Sequence, residues 1–307
     1  MNISSPKNDK DTALIIGPTA SGKSALALEL AKKQPSVIIN ADSAQVYSDL
    51  QILSARPDTE EMQGIDHQLY GYLDGAHPCS AAQWAADAKD QIASAHRGGK
   101  LPILVGGTGL YVRTLLDGIA PIPEIDKAVR NNVRLLTVER AYQALVDEDP
   151  FAAERLNPND SSRIMRALEV VRSTGKPLNH WQAHKTGGIK DDINLRPLVL
   201  LPPRDWLYSR CDSRFEIMLE RGAKEEASRL LARNLPNTCP VMRAIGVPEI
   251  CAWIEGTISI EEAQMQAMAA TRQYAKRQYT WFRNQCPPAW LRYEKIVNYD
   301  NLTSIVI

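Results

Sequence analysis

Four short apolar runs recur along the chain, each bounded by polar residues: Thr12-Ala13-Leu14-Ile15-Ile16, Ser36-Val37-Ile38-Ile39, Leu101-Pro102-Ile103-Leu104-Val105 and Leu198-Val199-Leu200-Leu201. Continuous rather than alternating hydrophobicity over so few residues predicts strands covered on both faces. Between them the period becomes helical, beginning with Ala25-Leu26-Ala27-Leu28-Glu29-Leu30-Ala31-Lys32. Strands alternating with helices predict an α/β fold with a parallel-sheet core. From about residue 122 to 194 no strand pattern occurs, which predicts an inserted all-helical subdomain (122–194) within a core made of 1–121 and 195–307. Its first helix is expected over 127–146. A second is capped by Asp160, runs over 161–172 and stops at Gly175 before Pro177. Residues 185–192 read as a flexible return to the core. Beyond the fourth strand, helices are expected over 208–220 and 223–233, then a long one to Gln285 that opens with the capping box Ser259 and Glu262.

Composition narrows the function classes. At 307 residues the chain fits about two domains. No apolar run approaches the roughly 20 residues of a membrane span, and the polar stretch 1–11 does not resemble a signal peptide, so a cytoplasmic protein without a membrane partner is expected. Five cysteines, odd in number and without a Cys-x-x-Cys pair, argue against a disulfide framework or a zinc site. Lys plus Arg and Asp plus Glu balance at 36 each, so any nucleic-acid signal must be local.

The sharpest motif follows the first strand. Gly17-Pro18-Thr19-Ala20-Ser21-Gly22-Lys23-Ser24 has the spacing of a P-loop between a strand and a helix, which makes the expected core P-loop NTPase-like. Backbone N–H groups and the helix N-terminus face an anion, Lys23 meets a terminal phosphate, and the Ser24 hydroxyl ligates Mg²⁺. Ligands of open parallel sheets bind beyond the carboxyl ends of strands. There the second strand is followed by Asp42, which in an ATPase holds Mg²⁺ through water, in a group transferase takes a proton from the acceptor, and otherwise serves as a helix cap or turn residue. The third strand ends in Gly106-Gly107-Thr108-Gly109, where an NTP hydrolase would carry an acid; either something approaches that backbone closely, with Thr108 placed to hydrogen-bond it, or the glycines make a tight strand-to-helix turn. On the last helix Arg272, Lys276, Tyr279 and Arg283 recur at helical spacing, a basic and aromatic face suited to RNA or to plain solvation. In the insertion Arg163 and Arg166 lie on adjacent turns. The five histidines offer no metal motif.

In these motifs the chain resembles the tRNA dimethylallyltransferases, also called tRNA isopentenyltransferases. The P-loop, Asp42-Ser43-Ala44-Gln45-Val46-Tyr47, Val105-Gly106-Gly107-Thr108-Gly109-Leu110-Tyr111, Asn157-Pro158-Asn159-Asp160 with Arg166-Ala167-Leu168-Glu169-Val170, and the segment Thr271 to Arg283 match family motifs in family order. The resemblance implies transfer of a dimethylallyl group from dimethylallyl diphosphate to the exocyclic amine of the adenine 3′ of the anticodon, with Mg²⁺ as cofactor. It implies a P-loop that holds the donor's diphosphate, with Asp42, Thr108 and Arg214 as catalytic residues. The tRNA anticodon stem-loop is then the macromolecular partner, with no stable protein partner implied. Family contacts with tRNA fall on Asp42, Ser43, Ala44, Gln45, Thr108, Arg130, Ser162, Arg163, Ile164, Met165, Arg166, Arg243 and Gly246, joined by Arg272, Lys276 and Arg283 of the basic face. After Gly246 this chain carries Val247-Pro248 in place of the family's usual aromatic and basic pair. Competing readings are a P-loop small-molecule kinase, a non-catalytic RNA-binding protein, and a prenyltransferase of free adenine nucleotides.

Overall fold

The computed structural model describes residues 10–297; the polar N-terminal residues 1–9 and residues 298–307 of the expected core lie outside them. Six strands form one parallel sheet: β1 (Asp11–Ile16), β2 (Ser36–Asn40), β3 (Asp66–Gln68), β4 (Leu101–Gly106), β5 (Asn194–Leu200) and β6 (Leu291–Tyr293), in the order β3-β2-β4-β1-β5-β6. The four central strands are the four apolar runs. The edge strands β3 and β6 escaped the pattern because each is three residues long and carries a charge, Asp66 in β3 and Arg292 in β6.

Register decides where the loops open. Ile16 pairs with Gly106 and Asn40 with Val105, so β1, β4 and β2 end side by side and the segments that follow them share one edge of the sheet. The helices α1 (Lys23–Lys32) and α2 (Ala81–Arg97) cover this half, and α3 (Gly109–Asp117) follows β4. Ser80 caps α2 by accepting the Gln83 N–H at 3.0 Å. Trp84 of α2 is fully buried, donates its indole N–H to Asn40 O at 2.8 Å and stacks on Tyr111 with centroids 4.6 Å apart. Truncating such a side chain to alanine costs about 3–5 kcal/mol, so the end of β2 is firmly anchored.

The chain divides into two compact units, and Leu116–Ile189 forms the second. It contains α4 (Lys127–Arg134), α5 (Val138–Glu148), α6 (Pro150–Arg155), α7 (Ser161–Thr174) and α8 (Leu178–Gln182) around a core of Val133, Ala141, Leu145, Ile164 and Leu168. The single helix expected over 127–146 is two helices. Thr137 is the reason: its hydroxyl accepts the Arg140 N–H at 3.4 Å and starts a new helix. The return segment begins with Thr186 in an antiparallel bridge to Ile119.

The remaining helices belong to the sheet unit: α9 (Arg204–Glu220), α10 (Ala223–Ala232), α11 (Val247–Ile254) and α12 (Ile260–Gln285). α9 starts four residues before the expected position, directly after Pro203. α11 was not foreseen, although Pro248 in its first turn is a helix-start signal. The capping box of α12 is formed, with Ser259 Oγ accepting from Glu262 N and Glu262 Oε2 from Ser259 N. Leu207 and Cys211 of α9 pack on Ala275 of α12. Among the described residues no helix is long and apolar enough to cross a membrane.

Candidate active site

The P-loop geometry follows from two glycines. A Cβ on Gly17 would collide with the Leu200 carbonyl, and Gly22 takes a left-handed φ of 93° to turn the chain into α1. Three cations around this loop donate to uncharged oxygens. Lys23 Nζ donates to Pro18 O at 2.6 Å, Arg214 Nη2 to Thr19 Oγ1 at 2.7 Å, and Arg210 Nε to Ala20 O at 3.2 Å. Burial lowers the Lys23 pKa to about 8 against the opposing pull of Asp42, and burial likewise lowers that of Arg214 against Cys211 and Asp42. The Ser21 hydroxyl is buried without a hydrogen-bond partner among the described residues. Two desolvated cations and an orphaned hydroxyl define a site short of an anion.

The same loop suits a hard divalent cation. No cluster of three or more His, Cys, Asp or Glu exists among the described residues. Mg²⁺ needs none, since it takes one or two protein oxygens and fills its shell with water and phosphate oxygens. Ser24, exposed in the first turn of α1, offers such an oxygen.

The acceptor side is built by Asn40 at the end of β2. Its side chain accepts the Asp42 N–H at 2.8 Å and donates to the carbonyls of Asp42 and Leu69, each at 3.0 Å. Asp42 Oδ1 accepts the Ala44 N–H at 3.0 Å, which leaves Oδ2 without a protein hydrogen bond among the described residues. The Asp42 charge adds to burial in raising the pKa of Tyr70 and Tyr274. Thr108 Oγ1 accepts from Ser43 N at 2.9 Å and donates to Ser43 Oγ at 3.2 Å. It therefore braces the Asp42 loop, and it does not line the cavity.

That cavity holds about 350 Å³. Thr19, Asp42, Ser43 and Arg214 form its polar side, while Ala44, Tyr47, Leu53, Phe215, Met218 and Ile245 supply apolar wall. From α12 come Thr271, Tyr274 and Arg277, with Arg277 set over the Tyr274 ring at 5.8 Å. The residue that sequence reading missed is Gln278. Buried, it accepts the Thr19 N–H at 2.8 Å and donates to Gly107 O at 2.8 Å, tying the P-loop to the loop after β4. The signal was the helical spacing of Thr271, Tyr274 and Gln278, which alternate along α12 with the basic residues Arg272, Lys276 and Arg283.

Those basic residues have mixed fates. Arg272 forms a 2.6 Å ion pair with Asp212 of α9, whereas Lys276 and Arg283 are exposed. Tyr279 is tucked beneath Arg204, its hydroxyl 3.4 Å from Leu201 O. Gln45 spends its amide on Ser54 O and Ala55 O, at 3.0 and 2.7 Å, and does not line the cavity. Arg243 does line it, and Gly246, at φ 92°, comes so near Leu53 and Phe215 that a Cβ would press on both. Within the second unit the Ile164 side chain is fully buried in the core, and Met165 packs beside it. Ser162 and Arg163 are exposed, Arg163 in a 2.8 Å pair with Asp160. Arg130, Arg134 and Arg166 surround the buried Glu169 at 4.0, 3.2 and 3.7 Å, three cations on one carboxylate.

The model of the family described as IPP transferase matches residues 45–285. A curated tRNA dimethylallyltransferase of Erythrobacter litoralis is 59% identical over 287 residues, covering 92% of this chain and 90% of that protein. One from Zymomonas mobilis is 53% identical over 307 residues, 100% of this chain and 98% of its own length. Among solved structures, a full-length tRNA isopentenylpyrophosphate transferase of Bacillus halodurans is 33% identical with a TM-score of 0.70, covering 97% of this chain and 94% of that one. A eukaryotic dimethylallyltransferase described as acting on tRNA is 31% identical with a TM-score of 0.77, covering 89% and 70%.

Proposed function

The chain belongs to the IPP transferase family, and from that premise we propose that it prenylates tRNA, moving a dimethylallyl group from dimethylallyl diphosphate to the exocyclic amine of the adenine 3′ of the anticodon. One observation carries the mechanism: a cavity that joins an anion-poor cradle of Lys23, Arg214 and Ser21 to a carboxylate with an uncommitted oxygen, Asp42 Oδ2.

Lys23, Arg214 and the P-loop amides hold the donor's diphosphate and stabilise the charge that grows on it as the allylic C–O bond breaks. The C–O electron pair leaves with the diphosphate, and the amine nitrogen lone pair forms the new C–N bond. Asp42 takes the amine proton, the work of a general base contributing about 10²- to 10⁴-fold. Ser24 would hold Mg²⁺, which would supply further positive charge against the leaving diphosphate. Leu53, Phe215 and Met218 exclude water from the allylic carbon. Tyr274 and Arg277 offer flat surfaces against which an unstacked base can lie. Thr108 acts by keeping the Asp42 loop in place.

The tRNA is bound through Arg130, Ser162, Arg163 and Arg166 of the helical insertion, through Ser43, Arg243 and Gly246, and through Lys276 and Arg283 of α12. The reaction takes place in the cytoplasm. A small-molecule kinase would leave the insertion and the missing acid after β4 unexplained. Incubation with dimethylallyl diphosphate and either an unmodified tRNA transcript or AMP tests the reading: the prenyl group is expected in the tRNA, and transfer to AMP alone would overturn it.

A further inference from the structure

Glu226 lies on α10 and is 2% exposed, yet it belongs to none of the substrate-facing groups. Its carboxylate accepts three successive backbone amides from a distant part of the chain. Oε1 takes the N–H of Gln51 at 2.7 Å and of Ile52 at 2.9 Å, and Oε2 takes that of Leu53 at 2.8 Å. Consecutive amides converging on one anion form a compact nest with a fixed conformation. The segment it fastens otherwise bonds largely to itself: Ser54 Oγ donates to Leu50 O, Gln51 Nε2 to Arg56 O and Arg56 Nε to Leu50 O. Leu53, the last of the three, and Ser54 after it form part of the cavity wall.

We propose that Glu226 is a positioning residue for prenyl transfer: through the Gln51–Leu53 backbone it sets how far Leu53 projects into the cavity, and so aligns donor and acceptor. The proposal rests on the prenyltransferase reading above. Its physical basis is the sensitivity of aligned reactions to placement, in which about 1 Å of displacement costs about 100-fold in rate. A neutral carboxamide cannot serve all three amides, because its NH₂ group faces N–H donors.

The experiment compares parent, Glu226→Gln, Leu53→Ala and the double variant in single-turnover prenylation of a tRNA transcript at saturating donor, with rates normalised to folded protein. Glu226→Gln is expected to slow the chemical step by at least about 10-fold while tRNA affinity changes less than about 2-fold. Since Glu226 acts through Leu53, the double variant should be no slower than the slower single. A merely structural role predicts an unchanged rate per folded molecule and would overturn the proposal, as would multiplicative losses in the double variant. Should Glu226→Gln not fold, Leu53→Ala alone decides: a parental rate there means that the position of Leu53 is immaterial. If the parent itself transfers nothing to tRNA, the prenyltransferase reading has failed instead.

Discussion

Gln278 joins the two halves of the site, and its replacement by leucine keeps the bulk while removing both hydrogen bonds. Gly107 O loses its donor in a buried setting, a loss of about 1–3 kcal/mol, and the part-buried Thr19 N–H loses an acceptor that water can partly replace, about 0.5–1.5 kcal/mol. Together these predict about 1.5–4.5 kcal/mol of destabilisation and, for a unit of this size, a melting temperature lower by about 3–18 °C. The effect should reach the donor, because Thr19 carries the hydroxyl that receives Arg214. Calorimetry with and without dimethylallyl diphosphate reads both consequences: the variant melts early, and added donor raises its melting point less than the parent's. Gly107→Ala attacks the same joint from the opposite side, since its Cβ would collide with Gln278 Nε2, and should reproduce the loss. A Gln278→Leu protein that melts within about 1 °C of the parent and keeps parental donor affinity would refute the reasoning.

Asp42→Asn should bind tRNA normally and lose on the order of 100-fold or more in single-turnover rate; a near-parental rate would remove Asp42 as the base. Lys23 has a folded pKa of about 8 against an ordinary 10.5, so its charge in the donor-free enzyme is lost as pH rises past about 8. Donor affinity should then weaken by up to about tenfold per pH unit, whereas the folded state's stability gains with pH between those two values because the unfolded chain holds the extra proton. Donor titrations from pH 7 to 9.5 on parent and Lys23→Arg read this, the arginine variant staying flat. For tRNA binding, Lys276→Gln and Arg283→Gln should each reduce the slope of log affinity against log salt by about 0.7 to 0.9, while Arg272→Gln, its charge already paired with Asp212, changes it by less. Equal slope changes in all three would show that the Asp212 pair opens on binding.

The central sheet and the P-loop were legible because burial on both faces and a phosphate cradle each demand a continuous local pattern. β1, β2, β4 and β5 read as apolar runs, and Gly17 to Ser24 reads as spacing. The edge strands lacked that demand: three-residue Asp66–Gln68 pairs through its backbone and needs no hydrophobic alternation. On α12 charge drew attention to Arg272, Lys276 and Arg283, yet Tyr274 and Arg277 face the cavity. Which side of an amphipathic helix meets a ligand depends on the partner elements, here the loops after β1 and β4 that Gln278 bridges. Glu226 was invisible for the same reason, since its three partners lie more than 170 residues away along the chain.

The measurement that bears most directly on the account is the location of the transferred group. An unmodified tRNA transcript, incubated with the protein, dimethylallyl diphosphate and Mg²⁺, is digested with a base-specific nuclease and weighed by mass spectrometry, alongside a transcript whose adenine 3′ of the anticodon is replaced by guanine. The account predicts one dimethylallyl group on the fragment carrying that adenine and none on the substituted transcript. Prenylation elsewhere in the tRNA, or equal modification of both transcripts, would contradict it.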